Sequence, residues 1–312
     1  MKPLKLYTKD ILSIANLSKD EIIDLFDFTL KLKSALKKGK NYNFLAKKSL
    51  AMIFEKRSTR TRVSFETGIT QLGGHALFLS SDDIQLGRGE TLSDTAQVLS
   101  RYVDGIMIRT DSHDKVVELA TNSTIPVING LTDKFHPCQA LTDYFTIYER
   151  ERDLSSVKLT YIGDGNNMAN SLLLGAAILG IDISIACPKK YSPDIQIVEE
   201  AYKLALFTDS NITVSQDIDE CCENANYIYT DVWVSMGQEK GSAKKKKDLA
   251  KYKITSKILD KCAKDCKILH CLPAHRGEEI DADVIDSKQS IVFDQAENRL
   301  HVQKAIMCSL MR

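Results

Sequence analysis

Short apolar runs alternate along the chain with longer segments whose apolar positions recur every three or four residues. The runs Leu50 to Phe54, His75 to Leu79, Gly105 to Arg109, Ile125 to Ile128, Val157 to Ile162 and Ile181 to Ala186 read as strands. So do Ile212 to Val214, Tyr227 to Thr230, Lys267 to Leu272 and Ile291 to Phe293. Helical spacing is predicted over 22–36, opened by the capping box Ser18-Lys19-Asp20-Glu21 and closed by Gly39. Further helices are predicted over 63–72, 91–101, 114–121, 137–152, up to Leu179, and over 194–206, 218–223, 256–264 and 295–310. Strand and helix alternate throughout, which predicts an α/β fold: two domains, each a parallel sheet with helices on both faces. Ligands of such sheets bind at the carboxyl ends of the strands, so the active-site cleft is expected between the two domains. The charged stretch from Glu149 to Ser156 is the expected boundary.

Composition narrows the partners. The 312 residues, 43% hydrophobic, suffice for two ordinary domains. Lys+Arg and Asp+Glu both number 42, and zero net charge argues against a nucleic-acid binder. No apolar run approaches a membrane span and no leader pattern stands at the start, so a cytoplasmic protein is expected. The eight cysteines, among them Cys138, Cys262, Cys266 and Cys271, lack zinc spacing with histidine; reduced, mostly buried thiols and no metal are expected. Lys244 to Lys247 reads as a solvated face.

The unusual polar residues fall after predicted strands. Ser58-Thr59-Arg60-Thr61-Arg62 sits where a strand ends and a helix begins, and a helix N-terminus with added arginines suits a phosphate-type anion. The alternative is a serine cap followed by a solvated basic turn. Arg109 ends a strand and is a ligand contact or a surface ion-pair partner. His136, before Pro137, is a donor, acid or base, or a loop residue near a helix start. Gly163-Asp164-Gly165 imitates a dinucleotide fingerprint, but Met168 stands where its third glycine belongs and no acidic residue ends the next strand. No GxxxxGK loop and no G-x-S-x-G elbow occur, which disfavours ATP use of that type and a serine nucleophile. Cys271 has no evident base beside it, since alternation turns His270 to the opposite face.

Ser58-Thr59-Arg60-Thr61-Arg62 with Phe65-Glu66, and His136-Pro137-Cys138-Gln139, together resemble the aspartate/ornithine carbamoyltransferase family. Cys138, Asp231-Val232-Trp233-Val234-Ser235-Met236-Gly237 and His270-Cys271-Leu272-Pro273 resemble its ornithine branch, and the likeness runs from the first helix to the last. The resemblance implies a carbamoyl phosphate-binding domain over 1–149, with helix 296–312 packing back on it, and an ornithine-binding domain over 150–295. It implies that Ser58, Thr59, Arg60 and Thr61 hold the phosphate, that Arg109 bridges phosphate and carbonyl, and that His136 and Gln139 face the carbamoyl group. Gln85 resembles a residue lent by a neighbouring subunit; Cys271, Leu272 and Arg299 would complete that site. Asn167, Asp231, Ser235 and Met236 would hold ornithine. The implied reaction is direct attack of the ornithine δ-amine on carbamoyl phosphate, giving citrulline and phosphate, in arginine biosynthesis or catabolism. Arg109, His136, Gln139 and Cys271 would be its catalytic residues. No cofactor and no metal is implied, and the assembly implied is a homotrimer with shared active sites.

Overall fold

The structure, a computed structural model, describes residues 2–40, 42–80, 89–234 and 242–311. The chain forms two compact units: Met1–Phe145 with Glu297–Arg312, and Thr146–Ala296. Each is a parallel sheet flanked by helices, as the strand–helix alternation predicts.

The first unit opens with α1 (Lys19–Lys37), whose capping box is formed: the Ser18 hydroxyl accepts from the Glu21 N–H, and the Glu21 carboxylate accepts from the Ser18 N–H. Then follow β1 (Ser49–Phe54), α2 (Thr59–Gln71), β2 (His75–Ser80), α3 (Leu92–Tyr102), β3 (Gly105–Arg109), α4 (His113–Asn122), β4 (Val127–Leu131) and α5 (Pro137–Glu151). Strand order is β2-β1-β3-β4. Leu50 to Phe54 of β1 are all buried, which is why that strand reads as an unbroken apolar run. Ala51, Ile53, Ile106, Ile108 and Val127 pack against Ala96, Val116 and Leu119 from α3 and α4. The last helix, α12 (Val292–Leu310), returns the chain to this unit and packs on α2 at Gly68. A Cβ there would meet Met307 Cε at 3.0 Å and Lys304 Cγ at 3.2 Å, so the missing side chain permits the close approach.

The second unit contains β5 (Lys158–Ile162), α6 (Asn167–Leu179), β6 (Asp182–Ala186), α7 (Ile195–Ala205), β7 (Ile212–Ser215), α8 (Ile218–Cys222) and β8 (Tyr227–Thr230). It continues with α9 (Ser242–Leu249), α10 (Ser256–Leu259), β9 (Lys267–His270) and α11 (Ala282–Ile285). Strand order is β7-β6-β5-β8-β9. Every residue of α6 after Asn167 is buried, so the helix is apolar all round rather than striped. One core cluster gathers Ile162, Ile228 and Ile268 from three strands with Trp233 and Tyr252.

Several elements differ from expectation: α9 and α11 form where no helix is predicted, β9 ends at His270 rather than Leu272, and three more shift or shorten. β4 starts at Val127 rather than Ile125, because Pro126 has no N–H and offers only its carbonyl to Ile106. It then runs on to Leu131, with Ile11 bridging alongside at Ile128. The helix expected over 256–264 stops at Leu259: Lys261 and Cys262 donate only three residues back, and the Ala263 N–H goes to the Ala225 carbonyl. The strand expected over Ile291 to Phe293 is only a bridge from Ser290 to Ile268, after which the chain turns directly into α12.

Candidate active site

In the first unit β1 lies between β2 and β3, so the connection after β1 leads one way across the sheet and that after β3 the other. The carboxyl ends flanking that reversal, the topological switch point, are Phe54 and Arg109, which are register partners. A bulge between Ile108 and Arg109 on the β4 side re-aims the strand end there. Ser58 caps α2, its hydroxyl accepting the Thr61 N–H at 3.3 Å, so Thr59, Arg60 and Thr61 form the first turn of a 13-residue helix. That turn carries the helix's positive end, and Ser58 and Arg60 remain half-buried and Thr59 exposed.

Three buried side chains converge behind the turn. Thr61 Oγ1 accepts from Arg299 Nη2 at 2.9 Å and, at 3.4 Å, from Arg109 Nη1. Arg299 Nη1 donates to Gln139 Oε1 at 2.6 Å, and Gln139 Nε2 donates to Asp143 Oδ1 at 2.7 Å. His136 precedes Pro137, and its carbonyl accepts the N–H groups of Gln139 and Ala140. Burial, then the charges of Arg299, Arg109 and Arg60, push its pKa well below the ordinary histidine value. At neutral pH it is therefore an uncharged imidazole. Cys138 turns away: its Sγ donates to the Asn129 carbonyl, and burial raises its pKa to about 12. It is a packing thiol.

The second unit repeats the arrangement. Its strand order reverses between β5 and β8. After β5, Gly163 takes φ of 136°, open to glycine and strained for other residues, and Asn166 caps α6 by accepting the Met168 and Ala169 N–H groups. The amide of Asn166 donates to Asp231 Oδ2 at 2.8 Å. Asp231, just past β8, also receives the Val232 N–H at 2.7 Å and the Cys271 thiol at 2.9 Å on Oδ1. Cys271 itself follows β9. Beyond it, the Leu272 N–H donates to His270 Nδ1 at 2.8 Å, which leaves Nε2 of a neutral ring to carry the proton toward Glu279 Oε1 at 3.3 Å. His270 and Glu279 are both fully buried at the side chain.

The first unit thus brings together Ser58, Thr59, Arg60, Thr61, Arg109, His136, Gln139 and Arg299; the second brings together Asp231 and Cys271, with Leu272 following Cys271 and Asn167 opening α6 beside the Asn166 that holds Asp231. Gln85, Ser235 and Met236 lie outside the described residues. Sequence reasoning passed over Asp143, which holds Gln139, and the tie from Asn166 to Asp231. It also passed over Glu279 behind His270. Asp143 was within reach, one helical turn beyond Gln139; Glu279 had no signal in spacing.

Residues 9–149 match the carbamoyl-P binding domain of the aspartate/ornithine carbamoyltransferases, and residues 155–310 match their Asp/Orn binding domain. The chain belongs to the aspartate/ornithine carbamoyltransferase family. It is 52% identical over 308 residues to an ornithine carbamoyltransferase of Anoxybacillus flavithermus, covering 99% of this chain and 98% of that one. It is 51% identical over 303 residues to one from Methanobrevibacter smithii, covering 97% and 99%. Among solved structures it matches the ornithine carbamoyltransferase from Pyrococcus furiosus with a TM-score of 0.96 and 46% identity, over 99% of this chain and 98% of that one. The anabolic enzyme from Campylobacter jejuni matches with a TM-score of 0.91 and 43% identity, over 97% and 99%. The chain is a transferase, and its relatives group it with the ornithine carbamoyltransferases.

Proposed function

We propose that this enzyme transfers the carbamoyl group of carbamoyl phosphate to the δ-amine of L-ornithine, releasing L-citrulline and phosphate, with no covalent enzyme intermediate. The observation that carries the reading is the convergence of Arg109, Arg299 and Thr61 behind the N-terminus of α2. A phosphate dianion is suited to the helix end, the Ser58 to Thr61 turn and Arg60, with Arg109 spanning phosphate and carbonyl. The division into a carbamoyl phosphate-binding domain (1–149 with helix 296–312) and an ornithine-binding domain (150–295) goes with it.

The amine nitrogen attacks the carbonyl carbon, negative charge develops on the carbonyl oxygen, the C–O bond to phosphate breaks, and the departing phosphate takes the amine proton. Arg109, the Thr61 hydroxyl and His136 are the donors for that oxyanion, the largest usual contribution to such catalysis. Thr61 Oγ1 already accepts from two guanidiniums, so its own proton is available to the substrate. A neutral His136 donates without competing for charge with the arginines around it. Gln139, gripped by Arg299 and Asp143, is oriented for the carbamoyl amide, and the Leu272 main chain serves the same group.

Asp231 takes the α-ammonium of ornithine and Asn167 its α-carboxylate, with Ser235 and Met236 completing that contact. Three donors already fix the Asp231 carboxylate, so it meets the substrate preorganised. Cys271 acts in catalysis by orienting Asp231 and the incoming amine, not as a nucleophile: its thiol proton is committed to Asp231. The working form is a cytoplasmic homotrimer in which a neighbouring subunit supplies Gln85. No helix of the described residues is long and apolar enough to cross a membrane. The reaction serves arginine biosynthesis or catabolism.

Acceptor comparison tests the assignment. With carbamoyl phosphate, ornithine should be carbamoylated far faster than putrescine, N-acetylornithine or aspartate. Asp231→Asn should raise KM for ornithine about 100-fold, the cost of losing one partner of a buried charge pair, and leave KM for carbamoyl phosphate near its original value. Faster turnover of any other amine would overturn the ornithine reading.

A further inference from the structure

Beyond Pro273 the chain closes on itself in a tight turn. The His275 N–H donates to Glu279 Oε1 at 2.5 Å, the Glu278 N–H to the His275 carbonyl at 2.9 Å, and the Gly277 N–H to the Ile280 carbonyl at 2.8 Å. Gly277 takes φ of 89°, which the turn requires. The result is that His275, Glu278 and Glu279 each bring one ligating atom within 4.8 Å of the others.

Acidic clusters are common, and this one matters because of Glu279. Its side chain is wholly buried, and its two oxygens are treated differently. Oε1 receives His270 Nε2 and the His275 N–H. Oε2 accepts no hydrogen bond from the described residues and faces His275 Nδ1 at 3.7 Å, too far for one. Burial raises the pKa of this carboxyl, but the hydrogen bonds from His270 and the His275 backbone outweigh it and hold the group below its ordinary value, so it is anionic. A buried anionic oxygen without a donor carries an uncompensated desolvation cost. A cation removes that cost.

We propose that His275, Glu278 and Glu279 form a binding site for a divalent transition-metal cation, held by one imidazole nitrogen and two carboxylates with water completing the shell. Nitrogen and oxygen donors of this kind suit Mn2+ or Zn2+. His275 and Glu278 are partly exposed, which gives the cation a path from solvent. Lys246 Nζ, 2.7 Å from Glu278 Oε1, is the competing positive charge, and a half-exposed pair of that type yields at little cost. The cation would stand one carboxylate away from His270 and so from the Leu272 N–H that His270 holds. The group Asp231, His270 and Cys271 is equally compact, but its carboxylate takes three donors and both nitrogens of its imidazole are engaged, so no cation is assigned there.

Mn2+ alone, titrated into the full chain with free ion followed by electron paramagnetic resonance, tests this; Mn2+ avoids the thiols that would capture softer ions. One Mn2+ should bind per chain, and His275→Ala and Glu278→Gln should each weaken it at least about tenfold while the circular dichroism spectrum stays unchanged. Binding that neither substitution weakens, or no bound Mn2+ in the unsubstituted chain, would overturn the site. Citrulline formation is not the readout, so this outcome is separate from that of the carbamoyl transfer assignment.

Discussion

Arg299 on α12 donates through one guanidinium fork to the Thr61 hydroxyl at 2.9 Å and through the other nitrogen to Gln139 at 2.6 Å, tying together residues from three helices. Each partner is buried, and the approach of α12 to α2 at Gly68 makes the reach possible. The planar fork orients the hydroxyl and the amide together, which a single ammonium cannot do.

Arg299→Lys should therefore keep the charge and lose the geometry. Its kcat/KM for carbamoyl phosphate should fall about 100-fold, in the range of a lost oriented donor, with the fold retained by circular dichroism. Steady-state kinetics measures this. A near-unchanged kcat/KM would show that charge alone suffices at that position.

His136 should be silent to pH through the ordinary histidine range. Its folded-state pKa is lowered by burial and three arginines, so its protonated form lies at pH values well below the usual titration. Imidazole NMR signals, assigned by their loss in His136→Asn, should keep neutral-ring shifts in the ligand-free chain from about pH 8 to about pH 6. A midpoint near the ordinary value would refute the neutral-donor role.

Much of this was legible in the sequence, and most of the misses share a cause, contacts between residues far apart in the chain. The β1-to-α2 stretch announces itself, because hydroxyls and arginines crowd one short segment after an apolar run. Asp231 and Cys271 are marked by following strands. Nothing local marks Glu279 as the partner of His270: that contact depends on a turn folding back over nine positions. The shortening of α10 is equally non-local, since the Ala263 N–H is drawn off by Ala225 in another part of the unit. Ile291 to Phe293 has strand-like composition, yet contact with the sheet edge ends at Ile291, whose N–H donates to the Ile268 carbonyl before α12 begins. Pro126 was a local signal, and a missing N–H shifts a strand start in the way seen at β4.

His301 links the first unit's stability to pH. Burial, with Lys33 and Lys304 nearby, holds its pKa down to about 4 although Glu297 opposes the shift. Above about pH 7.5 neither the folded nor the unfolded chain protonates it appreciably, so it contributes almost nothing to the pH dependence there. As pH falls from there toward about 4, the unfolded chain takes up a proton that the folded one refuses, and stability drops by up to about 3 kcal/mol. Urea unfolding at several pH values, compared with His301→Gln, should show a shallower acid-side loss in the variant. Identical slopes would mean that His301 titrates normally in the fold.

The most direct measurement is citrulline formation from carbamoyl phosphate and ornithine by the purified chain, beside Arg60→Ala and Arg109→Ala. If the α2 turn and the β3 strand end grip the phosphate and stabilise the oxyanion, the unsubstituted chain makes citrulline and each variant loses at least about 100-fold in kcat/KM. Turnover near the original rate in either variant, or no citrulline from the unsubstituted chain, would contradict that account.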